Sequence, residues 1–488
     1  MRPLSGASIC LMLAAGACVG PNFQRPAPPD VARYTVDPLP AATGVAPGPG
    51  GAAQRFLSEE VPRDWWKLFK SADLDALVTE ALRANPEVAS AQAALKQALE
   101  NTAAERGSYF PTVQGSFGAS RNLDAVGVLS PNLASGAAMY NLFTPQVTVS
   151  YVPDIFGANR RQVESLAAQA EASRYQLDAT YLTLTANVVT AAIQEAGLRA
   201  QIRATERVIA LEREALSILH KQLELGAIAE GDVFAQDATL AGLEASLPPL
   251  NRQLLQTRDS LAVLTGHLPP EFKAPALDLD RLALPEDLPL GVASELVERR
   301  PDVRAAEAQL HAATAQVGVA TANLLPQVTI TGAIGSSATA LSDLFRAGTG
   351  FWSIGANATQ TLFAGGALIH HRRAAEAAMD EAAAQYRLAV LTAFQNVADA
   401  LHALATDADA LQAASRAASA SEMSLDVVRR QLELGSVSYL ALVNAEQAYQ
   451  QAVASQVSAR TSRMTDTAAL FQALGGSATP AVPRAAGP

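Results

Sequence analysis

The sequence predicts a membrane α+β fold in which one chain supplies four amphipathic β-strands and two very long helical hairpins, arranged as two similar halves. Three observations carry that prediction. Five residues, Gln-Leu-Glu-Leu-Gly, recur at 222–226 and 431–435, a separation of 435 − 226 = 209 residues. Each copy closes a long run of helical periodicity and is followed at once by a second such run. Two pairs of segments alternate apolar and small polar residues with period two, each about the 9–11 residues of a tilted membrane strand.

The N-terminus reads as a targeting segment. Arg2 and the short apolar core Ile9 to Ala17 have the shape of a secretory signal, assigned to residues 1–17. Ala15-Gly16-Ala17-Cys18 resembles a bacterial lipobox, with cleavage before Cys18 and acylation of its sulfur. An ordinary signal peptide cleaved after Ala17, leaving a free thiol, is the other reading. Cys10 lies inside the signal, so the mature chain keeps a single cysteine and has no internal disulfide or cysteine-based metal site. The net charge of −11 argues against a nucleic-acid partner. Residues 18–60, rich in Pro, Gly and Ala, read as a lipid-anchored tether, extended or disordered. Trp65-Trp66-Lys67-Leu68-Phe69 reads as a packing anchor. No later apolar run approaches the roughly 20 residues of a membrane helix, so membrane passage is expected through strands.

The first half, 61–266, begins with helical patterning from Asp73 to Arg106. Val113, Gly115, Phe117 and Ala119 then alternate with Thr112, Gln114, Ser116 and Ser120, and a second strand runs from Phe143 to Tyr151. A helix from about Gly157 to Leu225 follows, roughly 100 Å long at 1.5 Å per residue, with Val208, Leu211, Ala215, Ile218 and Leu225 as its expected apolar seam. The returning helix, 232–265, contains Pro248-Pro249, expected to kink or interrupt it. After a linker, 267–291, the order repeats in 292–475. Arg300-Pro301-Asp302-Val303 echoes Asn85-Pro86-Glu87-Val88 at 301 − 86 = 215 residues. Val328, Ile330 and Ile334 mark a third strand, and Trp352, Ile354, Ala356, Ala358 and Leu362 a fourth. A long helix, 367–434, carries Val390, Phe394, Val397, Leu401 and Leu404 at steps of 4, 3, 4 and 3. A shorter helix, 438–474, precedes a disordered tail, 476–488. At the hairpin tips Gly226 and Gly435 read as left-handed C-caps, Ser436 or Ser438 as an N-cap, and Asp232 as an anion in a first helical turn.

Four strands cannot close a membrane barrel, since the smallest use eight. An open sheet in lipid would leave unpaired backbone groups at several kcal/mol each. Two chains would supply eight strands and three would supply twelve. Periplasmic hairpins that pack one face on a helix are the competing arrangement.

Several stretches resemble one family. They are Cys18-Val19-Gly20-Pro21-Asn22-Phe23-Gln24-Arg25-Pro26, Trp65-Trp66 with Asp73-Leu74-Asp75-Ala76-Leu77, and Arg299-Arg300-Pro301-Asp302-Val303-Arg304-Ala305-Ala306-Glu307 followed by Leu325-Pro326. Asp154-Ile155-Phe156-Gly157 and Leu362-Phe363-Ala364-Gly365-Gly366 look like that family's two strand-to-helix junctions. Over nearly the whole mature chain the sequence resembles the outer-membrane efflux lipoproteins, the TolC/OprM-like outer-membrane factors of NodT type. Departures are Tyr151-Val152 where Trp-Glu is usual, Ala364 where Asp is usual, and Leu223 and Leu432 where an aromatic residue is usual.

The resemblance implies a homotrimer with a twelve-stranded outer-membrane β-barrel, continued into a long α-helical coiled-coil tunnel of twelve helices through the periplasm. It implies a channel, not an enzyme, that passively conducts drugs or other small solutes from an inner-membrane proton-driven efflux pump and a periplasmic adaptor to the exterior. No cofactor is implied beyond covalent lipid at Cys18. Adaptor contact falls at the tips, Gly226 and Gly435. A periplasmic gate falls just past them, at Asp232, Tyr439 and Asn444, the last standing where the family has a second acidic position. Residues 122–141 and 336–350 fall on the cell surface. A type I protein-secretion channel and a structural envelope-tethering lipoprotein are the competing functions. The sequence holds no P-loop, HExxH, Gly-x-Ser-x-Gly or dinucleotide fingerprint. His370-His371, adjacent on a helix, point to different faces, so no catalytic or metal residue is assigned. In cells supplied with radiolabelled palmitate, Cys18→Ser should abolish incorporation into this protein, and label retained by the variant would refute acylation at Cys18.

Overall fold

The computed structural model of the chain describes residues 19–123 and 139–476. The signal segment, Cys18, most of the 122–141 segment and the tail from 477 lie outside the described residues. In chain order the elements are β1 (Arg55–Leu57), a 3-10 turn (Trp65–Phe69), α1 (Ala72–Ala84), α2 (Pro86–Arg106), β2 (Thr112–Leu123), β3 (Met139–Tyr151), α3 (Ala158–Glu224) and α4 (Glu230–Leu264). They continue with β4 (Asp287–Pro289), α5 (Leu296–Arg299), α6 (Pro301–Ala322), β5 (Gln327–Ser336), β6 (Gly350–Thr359), α7 (Ala367–Glu433) and α8 (Tyr439–Ala473). Both long helices have 67 residues and both returning helices 35, at one offset, 367 − 158 = 439 − 230 = 209. The chain divides into two compact units, one built from 96–172 and 307–385 with the described part of 1–25, the other from 26–95, 173–306 and the described part of 386–488.

The first unit holds an antiparallel sheet of order β2-β3-β5-β6. Where β3 passes into α3, Asp154 accepts from the backbone N–H groups of Asn159 (3.0 Å) and Arg160 (2.9 Å), taking up two of the donors a helix start leaves unpaired. Ala364 stands at the corresponding junction and offers no side-chain acceptor, so α7 starts behind Gly365 and Gly366, both at positive φ. The fourth strand ends at Thr359, earlier than expected, and Leu362 and Phe363 lie beyond it, 91% and 89% exposed. The segment 19–25 is clasped to the helices. Phe23 stacks on His311 at 4.4 Å, Asn22 accepts from Arg161 at 2.5 Å, and Arg25 pairs with Glu307 at 3.1 Å. A side chain at Gly20 (φ +96°) would stand 2.5 Å from the backbone of Gly318, so the clasp needs glycine there.

In the second unit the helical pattern expected from Asp73 to Arg106 is broken at Asn85. Pro86 excludes the helical conformation from the residue before it and occupies the first position of α2. Asn85 caps the new helix by accepting from Glu87 N–H at 2.7 Å, and donates to the carbonyl of Leu264 at 2.9 Å. In the matching Arg300-Pro301 step, Arg300 forks onto Asp302 (3.0 and 2.6 Å) and donates to the carbonyl of Ala473 at 2.8 Å, bracing the end of α8. The Arg-Arg-Pro-Asp motif is therefore structural. Pro248 and Pro249 do not interrupt α4, which runs unbroken from Glu230 to Leu264. The expected seam of α3 holds at Val208, which is buried, and shifts beyond it. Leu211 and Ile218 are 37% and 49% exposed, while Ile209, Glu212 and Leu219 are buried. Val397, Leu401 and Leu404 of α7 are fully buried, as their spacing requires. One stretch of α7 is apolar enough, by length and composition, to cross a membrane, against expectation. It belongs to a helix whose alanines pack along that buried seam.

The expected tether is extended but not loose. Over 42–57 it docks along α8 and adds β1 in parallel to β4. The guanidinium of Arg463, fully buried, donates to Thr43 Oγ1 (2.9 Å), Ala52 O (2.8 Å), Gly50 O (3.2 Å) and Gln54 Oε1 (3.2 Å). Gln54 in turn donates to Pro285 O and Thr467 Oγ1. Trp65, 1% exposed, packs on Phe471 at 5.3 Å and anchors the end of the same segment, as its composition predicts. Arg463→Ala would remove the donors to Gln54 Oε1 and to the partly buried carbonyls of Gly50 and Ala52, leaving Thr43 Oγ1 its bond from Gln54 N–H, and should destabilise this dock by roughly 2–5 kcal/mol. Amide exchange over residues 43–57 should accelerate by orders of magnitude while α7 stays protected, and unchanged exchange there would contradict the assignment.

Candidate functional site

Two regions are candidates, a sheet with two unlike faces in the first unit and two helical tips in the second. Side chains alternate across a strand, so register decides which residues share a face. Val113 lies opposite Val149, Gly115 opposite Val147 and Phe117 opposite Pro145. Val147 then meets Ile334, Tyr151 meets Ile330, and Ile334 meets Trp352. One face is thus apolar across all four strands, with Phe117, Ile334, Trp352 and Ile354 60–75% exposed. The other face pairs Thr112 with Ser150, Gln114 with Thr148, Ser116 with Gln146, Ser150 with Thr331, and Thr329 with Asn357. Neither outer edge, on β2 or β6, has a partner strand among the described residues.

Both tips close in the same way. Gly226 and Gly435 each sit at φ +71°, the left-handed conformation glycine accepts. Gly226 N–H bonds Leu223 O and Ala227 N–H bonds Gln222 O, both at 2.8 Å; Gly435 with Leu432 and Ser436 with Gln431 repeat this at 2.9 Å. These paired bonds form a Schellman end, which satisfies the last carbonyls of α3 and α7. Leu225 and Leu434, one residue before each glycine, are 83% and 82% exposed. Past the first tip, Asp232 accepts from Ala229 N–H at 3.3 Å and so caps α4. Ser438 occupies the N-cap position of α8 without a side-chain bond.

Leu219, Val233, Leu425, Tyr439, Leu442 and Val443 form one buried cluster that packs the two hairpins together behind their tips. Tyr439, expected at a gate, is thus a core residue. Its hydroxyl has no hydrogen-bond partner, and burial together with the nearby carboxyls of Glu446, Glu212 and Asp232 pushes its pKa upward. Asn444 is exposed and Asp232 is half-buried.

A family profile described as "Outer membrane efflux protein" matches residues 77–267 and 292–476. The chain belongs to the outer membrane efflux protein family. That family comprises channel components rather than enzymes, and the protein resides in the outer membrane. The chain is similar to the pyoverdine export outer membrane protein OpmQ of Pseudomonas aeruginosa, 28% identical over 98% of this chain and 97% of that one. It is similar to the outer membrane protein OprJ of the same species, at 27% over 97% and 96%. Among solved structures, the outer-membrane channel OprN superposes with a TM-score of 0.84 at 28% identity, covering 94% of this chain and 99% of that one. The open state of the Neisseria gonorrhoeae MtrE channel superposes at 0.77 with 26% identity, covering 94% and 98%.

Within this outer membrane efflux protein, one constellation escaped the sequence reading. A little above the tips, Glu212 of α3, Gln236 of α4 and Glu446 of α8 are 0%, 0% and 4% exposed. Gln236 donates to the carboxylate of Glu212, the Glu212 and Glu446 carboxyls face each other, and Arg429 of α7 reaches Glu446 at 3.5 Å. Burial and the facing Glu212 push the Glu446 carboxyl up to about 8 against the opposing pull of Arg429. The signal was present in the spacing. Thr205, Ile209, Glu212, Leu216, Leu219 and Leu223 step by 4, 3, 4, 3 and 4, which places an acid in a coiled-coil seam. Among the described residues no cluster of metal-ligating side chains is present.

Proposed function

We propose that three copies of this chain close a twelve-stranded barrel in the outer membrane. Their helices would continue it as a periplasmic tunnel, a passive conduit for drugs or other small solutes. The observation that carries this reading is the open four-stranded sheet with one apolar face, one polar face and two unpaired edges. Adjacent strands are antiparallel and their number is even, so β6 of one copy can pair with β2 of the next and the ring closes by rotation. Apolar side chains then meet lipid and the Thr, Ser, Asn and Gln side chains meet water. The equal helix lengths support two copies of one ancestral unit in each chain. Leu211, Ile218, Leu388, Leu391 and Val427, exposed in the single chain, supply apolar surface for neighbouring copies.

In this reading Cys18 carries a lipid anchor, and the clasp at residues 20–25 fixes the chain that follows it. The tips at Gly226 and Gly435, with exposed Leu225 and Leu434, meet a periplasmic adaptor that joins the channel to a proton-driven inner-membrane pump. Asp232 and Asn444 form the resting constriction, and Tyr439 packs behind it. The relatives' names speak of pyoverdine, toluene, antibiotics and cations, so cargo is set by the pump rather than by a small-polar pore lining.

Epitope tags within 122–141 or 336–350 should be reached by antibody on intact cells, whereas tags at Gly226 or Gly435 should not; the reverse pattern would invert the orientation. In planar bilayers, Asp232→Ala and Asp232→Asn should both raise single-channel conductance. The Asn variant keeps an acceptor for Ala229 N–H, so a rise in the Ala variant alone would assign Asp232 to capping instead. Asn444→Asp, which adds a carboxylate per chain, should shift selectivity toward cations and allow block by multivalent cations. Conductance and selectivity like wild type in all three variants would place the constriction elsewhere.

A further inference from the structure

We propose that Glu212 and Glu446 hold one proton between them at neutral pH, and that this shared proton latches the first hairpin to the second, so that its loss frees the tips. The geometry makes the proton necessary. Each of the four tip helices sends one polar side chain to this point: Glu212 from α3, Gln236 from α4, Arg429 from α7 and Glu446 from α8. The donors they offer are Gln236 Nε2 to Glu212 and Arg429 Nη2 to Glu446. Glu212 Oε1 and Glu446 Oε2 are buried and accept nothing, and Gln236 Oε1, in a side chain with no exposure, is also without a donor. Two ionised carboxylates facing each other in a buried seam repel. A proton on one of them supplies the missing donor and turns the repulsion into a short O–H···O⁻ bond. The singly protonated pair carries one negative charge, which Arg429 balances. The fully ionised pair does not balance, and the neighbouring Tyr439 of α8, which has Glu446, Glu212 and Asp232 near it, adds no positive charge.

The direction of pH dependence follows. Burial and the facing Glu212 carboxyl push the latched Glu446 well above the ordinary carboxyl value of 4.5, up to about 8. The latched state therefore binds more protons than the parted state between these values, so rising pH favours parting. The ratio of parted to latched tips should rise about tenfold per pH unit between about pH 5 and 8, and level off above. Below about pH 4.5 Glu446 is protonated in both states, and its contribution no longer changes with pH.

The link from parted tips to an open channel rests on the proposed function, but the latch itself can be read without it. Nitroxide labels on Leu225→Cys and Leu434→Cys, with Cys18→Ser, would report the tip-to-tip distance in the full-length protein in detergent. With labelled chains diluted in unlabelled ones so that only the within-chain pair is read, wild type should show one narrow distance at pH 5 and a growing, longer population toward pH 9. Glu212→Gln, whose amide always has a donor for Glu446, should stay narrow throughout. Glu446→Gln, which gives up the pairing with Arg429, should also lose the pH response and serves if the first variant does not fold. A distance distribution that does not change from pH 5 to pH 9, or a Glu212→Gln protein that still responds like wild type, would overturn the latch. A pH-dependent distance without bilayer conductance would contradict the channel reading and leave the latch standing. Conductance with pH-independent distances would do the opposite.

Discussion

Backbone hydrogen bonding in lipid is the constraint on which everything else in this molecule depends. A strand edge facing hydrocarbon leaves its N–H and C=O groups without partners, and water is absent to replace them. Among the described residues the sheet has two unpaired edges, on β2 and β6, and its four strands do not close on themselves. In the proposed reading these edges face lipid, and association with further copies of the chain pairs them. The alternation of its faces follows from the same situation, because one medium lies on each side and every second residue must suit it.

The helical part answers a different constraint. Helices of 67 residues far exceed what local propensity needs, and their stability comes from seams that repeat every 3.5 residues. The seam of α8 passes through Tyr439, Leu442, Glu446, Tyr449, Val453, Gln456, Arg460, Arg463 and Thr467, alternating steps of 3 and 4. Apolar positions near the tip hold the two hairpins together. Polar positions serve particular partners: Glu446 meets Glu212, Arg460 meets Asp280 at 2.5 Å, and Arg463 holds the docked N-terminal segment. A polar residue in a seam fixes register, since any slip would leave it buried without its partner.

Legibility followed the range of the interactions. The strands were readable because period-two alternation is local, and the tips because a glycine after a helix has one common use. The expectation of a gate came from resemblance alone, and Tyr439, one of its residues, is packed in the cluster behind the tips. The seam of α3 was right at Val208, which is buried, and missed from Leu211 onward, where Glu212 and Leu219 take the buried positions. Val208, Leu211, Ala215 and Ile218 are apolar at plausible spacing, and an acid such as Glu212 reads as surface until its partner from another hairpin is known. The N-terminal segment misled by composition. Proline and glycine describe its extended backbone correctly, but the contact that holds it comes from Arg463, 409 residues from Gln54 in sequence.

The central claim is that this sheet closes only through copies of itself, and the number of chains per particle tests it most directly. Native mass spectrometry or light scattering on the protein extracted from outer membranes in mild detergent would supply that number. Three chains per particle, with no monomer at equilibrium, is the predicted result. A stable monomer, or a particle of two chains, would contradict the twelve-stranded closure on which the account rests.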